Sequence, residues 1–146
     1  MRASARWATG LAAAWAGVLA CIALIAAPAA FAVLAAPDAG RFVARLFAQE
    51  AYFSLGIALL LFFIEQRRAR RDAEAGLGSV LSTETILLLA TIFCTVAGHF
   101  AVEPMIAAAR LGQGAWSIGA LHAVSVGFYA LKALLVVALA WRFSLR

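Results

Sequence analysis

The chain has 146 residues, 66% of them hydrophobic and 13% charged, with a net charge of +5 from 12 basic against 7 acidic residues. A soluble domain of this size is nearer half apolar and a quarter charged, so lipid is the expected solvent here. The basic excess lies in arginines that flank apolar runs, the pattern of topology signals, which argues against a nucleic-acid-binding surface.

Met1 to Arg6 is a short basic lead, and from Trp7 to Pro37 no residue is charged. That exceeds the ~20 residues a helix needs to cross a bilayer and is too long for a signal-peptide core, so an uncleaved first span is expected at about 9–34. Ala13, Gly17 and Cys21, like Ala12, Ala16 and Ala20, place a small residue every fourth position, where another helix can pack closely. Pro28 is expected to kink the end of this span. Pro37-Asp38 then reads as a turn, with Asp38 capping the second helix.

The second span is placed at about 43–65. Arg41, Arg45 and Gln49 share one face at its start, and Glu50 lies roughly 100° round from Gln49. Gln66-Arg67-Arg68-Ala69-Arg70-Arg71-Asp72, with Gly76 and Gly78 behind it, reads as a basic solvated loop over 66–79. The third and fourth spans follow at about 83–105 and 118–141, with Trp7, Trp116 and Trp141 near span ends as interfacial aromatics. Cys21 and Cys94 fall within apolar runs, where cysteine behaves as a small buried hydrophobe.

Arginine placement sets an orientation. With the N-terminus in the cytoplasm, Arg2, Arg6, Arg67, Arg68, Arg70, Arg71, Arg142 and Arg146 lie inside and only Arg41, Arg45 and Arg110 outside. The expected fold is therefore an all-α membrane protein, a single four-helix transmembrane bundle with both termini in the cytoplasm. Arg- and Ala-rich composition suits a high-GC bacterium and hence a bacterial inner membrane.

That topology gathers polar groups in one layer beneath the outer face. Glu50, His99 and His122 each fall about four to six residues inside a span end, with Arg41, Arg45, Glu103 and Arg110 above them and Lys132 deeper. Glu84, Thr91, Thr95, His99, Glu103 and Arg110 share one face of the third helix, and His122, Ser125, Tyr129 and Lys132 one face of the fourth. Such stripes face the bundle interior, because a charge turned to mid-membrane lipid costs ~2.5–3.5 kcal/mol or more. His99 and Glu103, four apart, are placed to hydrogen-bond, and Pro104 frees the carbonyl of Phe100.

Three readings fit this cluster of His99, Glu103, His122, Ser125, Glu50, Arg41, Arg45 and Lys132. It can fix helix packing or a contact with a membrane-protein partner or second copy, as in a structural or accessory protein. It can hold haem or a metal such as copper through His99 and His122. It can form a proton or solute path along Lys132, Ser125, His122 and Glu50, with Lys132 requiring an anionic partner in any of them. No enzyme motif is present: no Gly-rich phosphate loop, His-Glu-x-x-His, Cys-x-x-Cys or serine elbow.

Trp15-Ala16-Gly17, Ala27-Pro28 with Phe31, Ala39-Gly40-Arg41, Leu46-Phe47 with Tyr52, Glu103-Pro104 and Leu121-His122-Ala123-Val124-Ser125 together resemble the transmembrane protein 205-like family. Its bacterial members are labelled domain of unknown function 4149. The resemblance implies a small four-span membrane protein without an established activity. It implies too that His122 and Ser125 are the family's His-x-x-Ser element and Pro28 its proline after the first span. The family's link to platinum-drug resistance points toward metal handling without supplying a mechanism. Ala123 stands where the family often has glycine, which narrows the space beside the imidazole.

Overall fold

The computed structural model describes residues 2–145, with side chains from Arg6 to Leu145. The side chain of Arg2 and all of Arg146, both counted among the inward arginines, lie outside the described residues. Four helical rods result: Arg6–Val33, Ala36–Glu74, Thr83–Arg110 and Ile118–Ser144, each long and apolar enough to cross a membrane. No strand occurs among the described residues.

The first and third rods are each made of two α-helices joined by a π-helical stretch. α1 (Arg2–Cys21) passes through a π segment at Ile22–Ala26 into α2 (Ala27–Val33). α4 (Thr83–Thr95) passes through a π segment at Val96–Val102 into α5 (Glu103–Arg110). The unbroken rods are α3 (Ala36–Glu74) and α6 (Ile118–Ser144). Each π segment ends two residues before a proline, Pro28 and Pro104, which has no N–H to give to the carbonyl one turn back. The expected kink at Pro28 thus takes the form of a widened turn, and the helix carries on to Val33.

The second rod extends furthest beyond its expected span, at both ends. Pro37 sits in the first turn of α3, whose N-cap is Ala35, so the helix begins seven residues before the expected span. Asp38 does not cap it. It lies inside the first turn, where the helix dipole favours an acid, and accepts a hydrogen bond from Arg41. At the other end α3 runs through the arginines to Glu74, at 39 residues roughly 58 Å long. Arg, Ala, Gln and Glu are all good helix formers and nothing interrupts them, so the basic stretch is helical and the connection shrinks to 75–82. Gly76, with φ of 71°, closes the helix by letting the Leu77 N–H reach the carbonyl of Asp72 at 2.8 Å.

Residues 2 and 145, the ends of the described chain, and the 75–82 connection lie at one end of the bundle, called proximal; residues 34–35 and 111–117 lie at the other, called distal. α6 packs against α1 and α4, and α3 against α4, so α3 and α6 stand diagonally across the interior. The proximal half is filled by Ala12, Trp15, Leu19, Ala58, Leu61, Leu88, Val136 and Leu139, all essentially inaccessible. A second, smaller core of Val102, Ile106 and Leu121 joins α5 to α6 at the distal end. Trp7, Trp116 and Trp141 are exposed near rod ends, as interfacial tryptophans are. Cys94 is buried as expected, but Cys21 is exposed on the outside of the bundle.

Candidate functional site

Glu50 on α3 and Lys132 on α6 each lie fourteen residues past the first residue of their helix, at one depth in the bundle. The earlier start of α3 brings Glu50 down to the level of Lys132, a layer below where the sequence placed it. The Lys132 ammonium donates to both Glu50 carboxylate oxygens, at 2.7 and 2.8 Å, with both side chains buried. This is the anionic partner Lys132 requires. A full charge pair spanning the bundle diagonal satisfies both ions where neither could face lipid.

The pair is held by neighbours on three rods. Ser54, one turn past Glu50, donates its hydroxyl to the same carboxylate. The Trp15 indole N–H on α1 donates to the Ser54 oxygen at 2.8 Å. Tyr129, one turn before Lys132, lies under the ammonium at 4.8 Å from its ring centre and donates its hydroxyl to the Leu19 carbonyl at 2.9 Å. Phe47 meets that ring edge-on at 5.0 Å. Every buried side-chain polar atom among the described residues has a hydrogen-bond partner.

Distal to this layer the bundle opens. A cavity of about 450 Å³ is lined from all four rods, with Glu50, Tyr129 and Lys132 at its floor. Ala23, Ala27 and Phe31 form one wall, Thr95, Gly98, His99 and Glu103 the opposite one, and His122 and Ser125 a third. Two π segments and their prolines border this space; α2 and α6 do not meet, whereas α5 packs on α6 through the second core. Gly98 lies in the second π segment against α6, and a Cβ there would come within 3.2 Å of the Phe128 Cβ.

Of the eight residues singled out from the sequence, six line this cavity: Glu50, His99, Glu103, His122, Ser125 and Lys132. Arg41 and Arg45 do not; both are exposed on α3, and Arg41 pairs with Asp38. Among the described residues no hydrogen bond joins His99 to Glu103. The π segment lies between them and replaces the i, i+4 register on which that bond depended; His99 packs edge-on against Tyr52 and Phe100 instead. The described residues hold no group of three or more His, Cys, Asp or Glu side chains fit to bind a metal ion.

The sequence reading missed Trp15 and Ser54. Ser54 carried a signal, one turn from Glu50 on the same face, whereas Trp15 was hidden in a run apolar on every side. It also missed the proximal pair in which Arg142 donates to Glu84 at 2.8 Å, beside a charge-lined cleft of about 470 Å³ that includes Glu65 and Arg68.

A sequence profile of the family described as a domain of unknown function (DUF4149) matches residues 10–115, from within the first rod through most of the last connection. No curated protein and no solved structure matches the chain.

Proposed function

The chain belongs to the DUF4149 family, and from that premise we propose that it is an accessory binding protein of the bacterial inner membrane. It takes a small ligand into its distal cavity from the periplasmic side and does not conduct it across. The orientation rests on the arginine asymmetry, which favours both termini in the cytoplasm and the distal end in the periplasm. Kinship with the wider transmembrane protein 205-like proteins is part of the same proposal, carried by Glu103-Pro104 and by Leu121 to Ser125.

The observation that carries the reading is the position of the Glu50–Lys132 pair. It floors a cavity of about 450 Å³ and stands directly above a proximal half packed with apolar side chains. An open chamber over a closed half is a receptor geometry. A path through Lys132 would require this pair to part and the layer of Trp15, Leu88 and Val136 beneath it to separate. The haem or copper reading retains His99 and His122, which share the cavity, but a copper ion there would draw its remaining ligands from outside the protein's side chains.

The test is thiol labelling in a Cys21→Ser/Cys94→Ser background. A membrane-impermeant maleimide added to intact spheroplasts should modify Ser125→Cys and leave Val136→Cys untouched. Equal reaction at both positions would mean a continuous aqueous path. Reaction at Ser125→Cys only in inverted vesicles would reverse the orientation.

A further inference from the structure

At the proximal end α3 runs on past the level where α4 and α6 stop. Arg142 on α6 donates to Glu84 on α4, and Glu65 and Arg68 of α3 line the cleft beside that pair, so the three helices share a level there. Exposed Trp141, next to Arg142, marks that level as the edge of the hydrocarbon. α4 begins at Thr83 and α6 ends at Ser144, whereas α3 continues over 66–74, roughly 14 Å farther.

The outward face of this extension is basic. Leu60, Phe63 and Ile64 are exposed on α3 just short of the common level. At ~100° per residue, Arg67, Arg70 and Arg71 continue the same face, and together the six residues fall within about 120°. All three arginines are exposed, and none of them forms an ion pair among the described residues; Arg68 pairs with Asp72 and Arg142 with Glu84. Glu74, one turn beyond Arg70, is the acid on this face. The 75–82 connection folds back along the opposite side, where Gly78 lies against Asp72 and the Leu77 N–H reaches the Asp72 carbonyl, and it leaves the arginines uncovered. Arg67 lies about 5 Å and Arg71 about 10 Å past Ile64 along the axis, across the roughly 5–8 Å of a bilayer's headgroup layer.

We propose that Arg67, Arg70 and Arg71 form a site for an anionic phospholipid, with its phosphate among the guanidinium groups and its acyl chains along Leu60, Phe63 and Ile64. A guanidinium fork takes two phosphate oxygens at once. A zwitterionic lipid offers the same phosphate but brings its own cation to these arginines, so the site selects the lipid with net negative charge. The proposal needs only that the proximal end meets a membrane surface, and it is independent of the distal cavity and of which side that end faces.

The experiment reads lipid contact by tryptophan quenching in phosphatidylcholine nanodiscs, with phosphatidylglycerol or phosphatidylcholine brominated in the acyl chains and added at equal mole fraction. One reporter protein carries Phe63→Trp with Trp7, Trp116 and Trp141 changed to Phe; a second keeps Trp141 and lacks Trp7 and Trp116. Buried Trp15 is a common background in both. A basic residue near an anionic surface is worth about five-fold in affinity, so three arginines against Glu74 set an upper value of about 25-fold. At Phe63→Trp the phosphatidylglycerol should be preferred at least ten-fold, and at Trp141, diagonally across the bundle at the same level, less than two-fold. Arg67→Gln/Arg70→Gln/Arg71→Gln should bring the preference at Phe63→Trp below two-fold with thermal unfolding retained, and Arg68→Gln should leave it within two-fold of its starting value. Equal quenching by the two lipids at Phe63→Trp, or a preference that survives the triple substitution, would overturn the site. An equal preference at Trp141 would overturn it too, by showing attraction to the protein's net charge in place of a local site.

Discussion

The two halves of this bundle are built from the same helices and the same apolar alphabet, yet one is closed and the other open. In the proximal half the rods are regular, and Trp15, Leu61, Leu88 and Val136 meet with no exposed surface. In the distal half two of the four rods change to π-helix before a proline, and a cavity opens beside the small core of Val102, Ile106 and Leu121. The difference teaches that the opening is a backbone property. Leu24, Ile25, Phe93 and Phe100 in and near the π segments are as apolar as anything below them, and they face outward. Between the halves stands the Glu50–Lys132 pair, which belongs to both: its flank is braced by Ser54 and Trp15, and its upper side is the cavity floor.

The largest effect should come from breaking that boundary. Lys132→Met leaves the Glu50 carboxylate buried without its counter-ion, and should cost about 3–5 kcal/mol in an SDS-unfolding titration. Glu50→Leu together with Lys132→Met removes both charges and should regain most of that loss. A double variant as unstable as the single one would mean that the pair does more than neutralise itself.

Next in size is the contrast between the halves themselves. Leu88→Ala in the closed half should cost about 2–5 kcal/mol, because its neighbours cannot collapse onto the space. Phe31→Ala, on the cavity wall and 56% exposed, should cost less than half as much in the same titration despite deleting the larger side chain. Trp15→Phe keeps the packing and removes the indole donor to Ser54, and about 0.6 kcal/mol is expected, near the mean for hydrogen bonds between membrane helices. The smallest effect should be His122→Ala, at under about 0.5 kcal/mol, since its side chain lines the open half and is exposed.

Much of this was legible in the sequence. Runs without charge marked four spans, and a polar stripe at helical spacing placed His99, Glu103, His122, Ser125 and Lys132 around one space. What the sequence hid follows from the solvent. In a helix surrounded by lipid, hydrophobicity no longer separates inside from outside, so Trp15 at the centre of the core reads like Trp7 at its edge. Lys132 announced that it needed an anion, but pairing it with Glu50 required the true start of α3. That start was hidden because Pro37 reads equally as a turn and as a first-turn residue. The π segments left only their prolines as a trace, and the His99–Glu103 bond expected from regular spacing fails because the spacing there is not regular.

The division into an open and a closed half is tested most directly by a cysteine scan along one face of α6. His122, Ser125, Tyr129, Val136, Leu139 and Phe143 are replaced singly in the background lacking Cys21 and Cys94, and reaction rates with an impermeant maleimide are measured in sealed right-side-out membranes. The expected result is fast reaction at 122 and 125, slower reaction at 129, and none at 136, 139 or 143, a single step at the level of Lys132. A gradual decline running through Lys132 to Leu139 would contradict it.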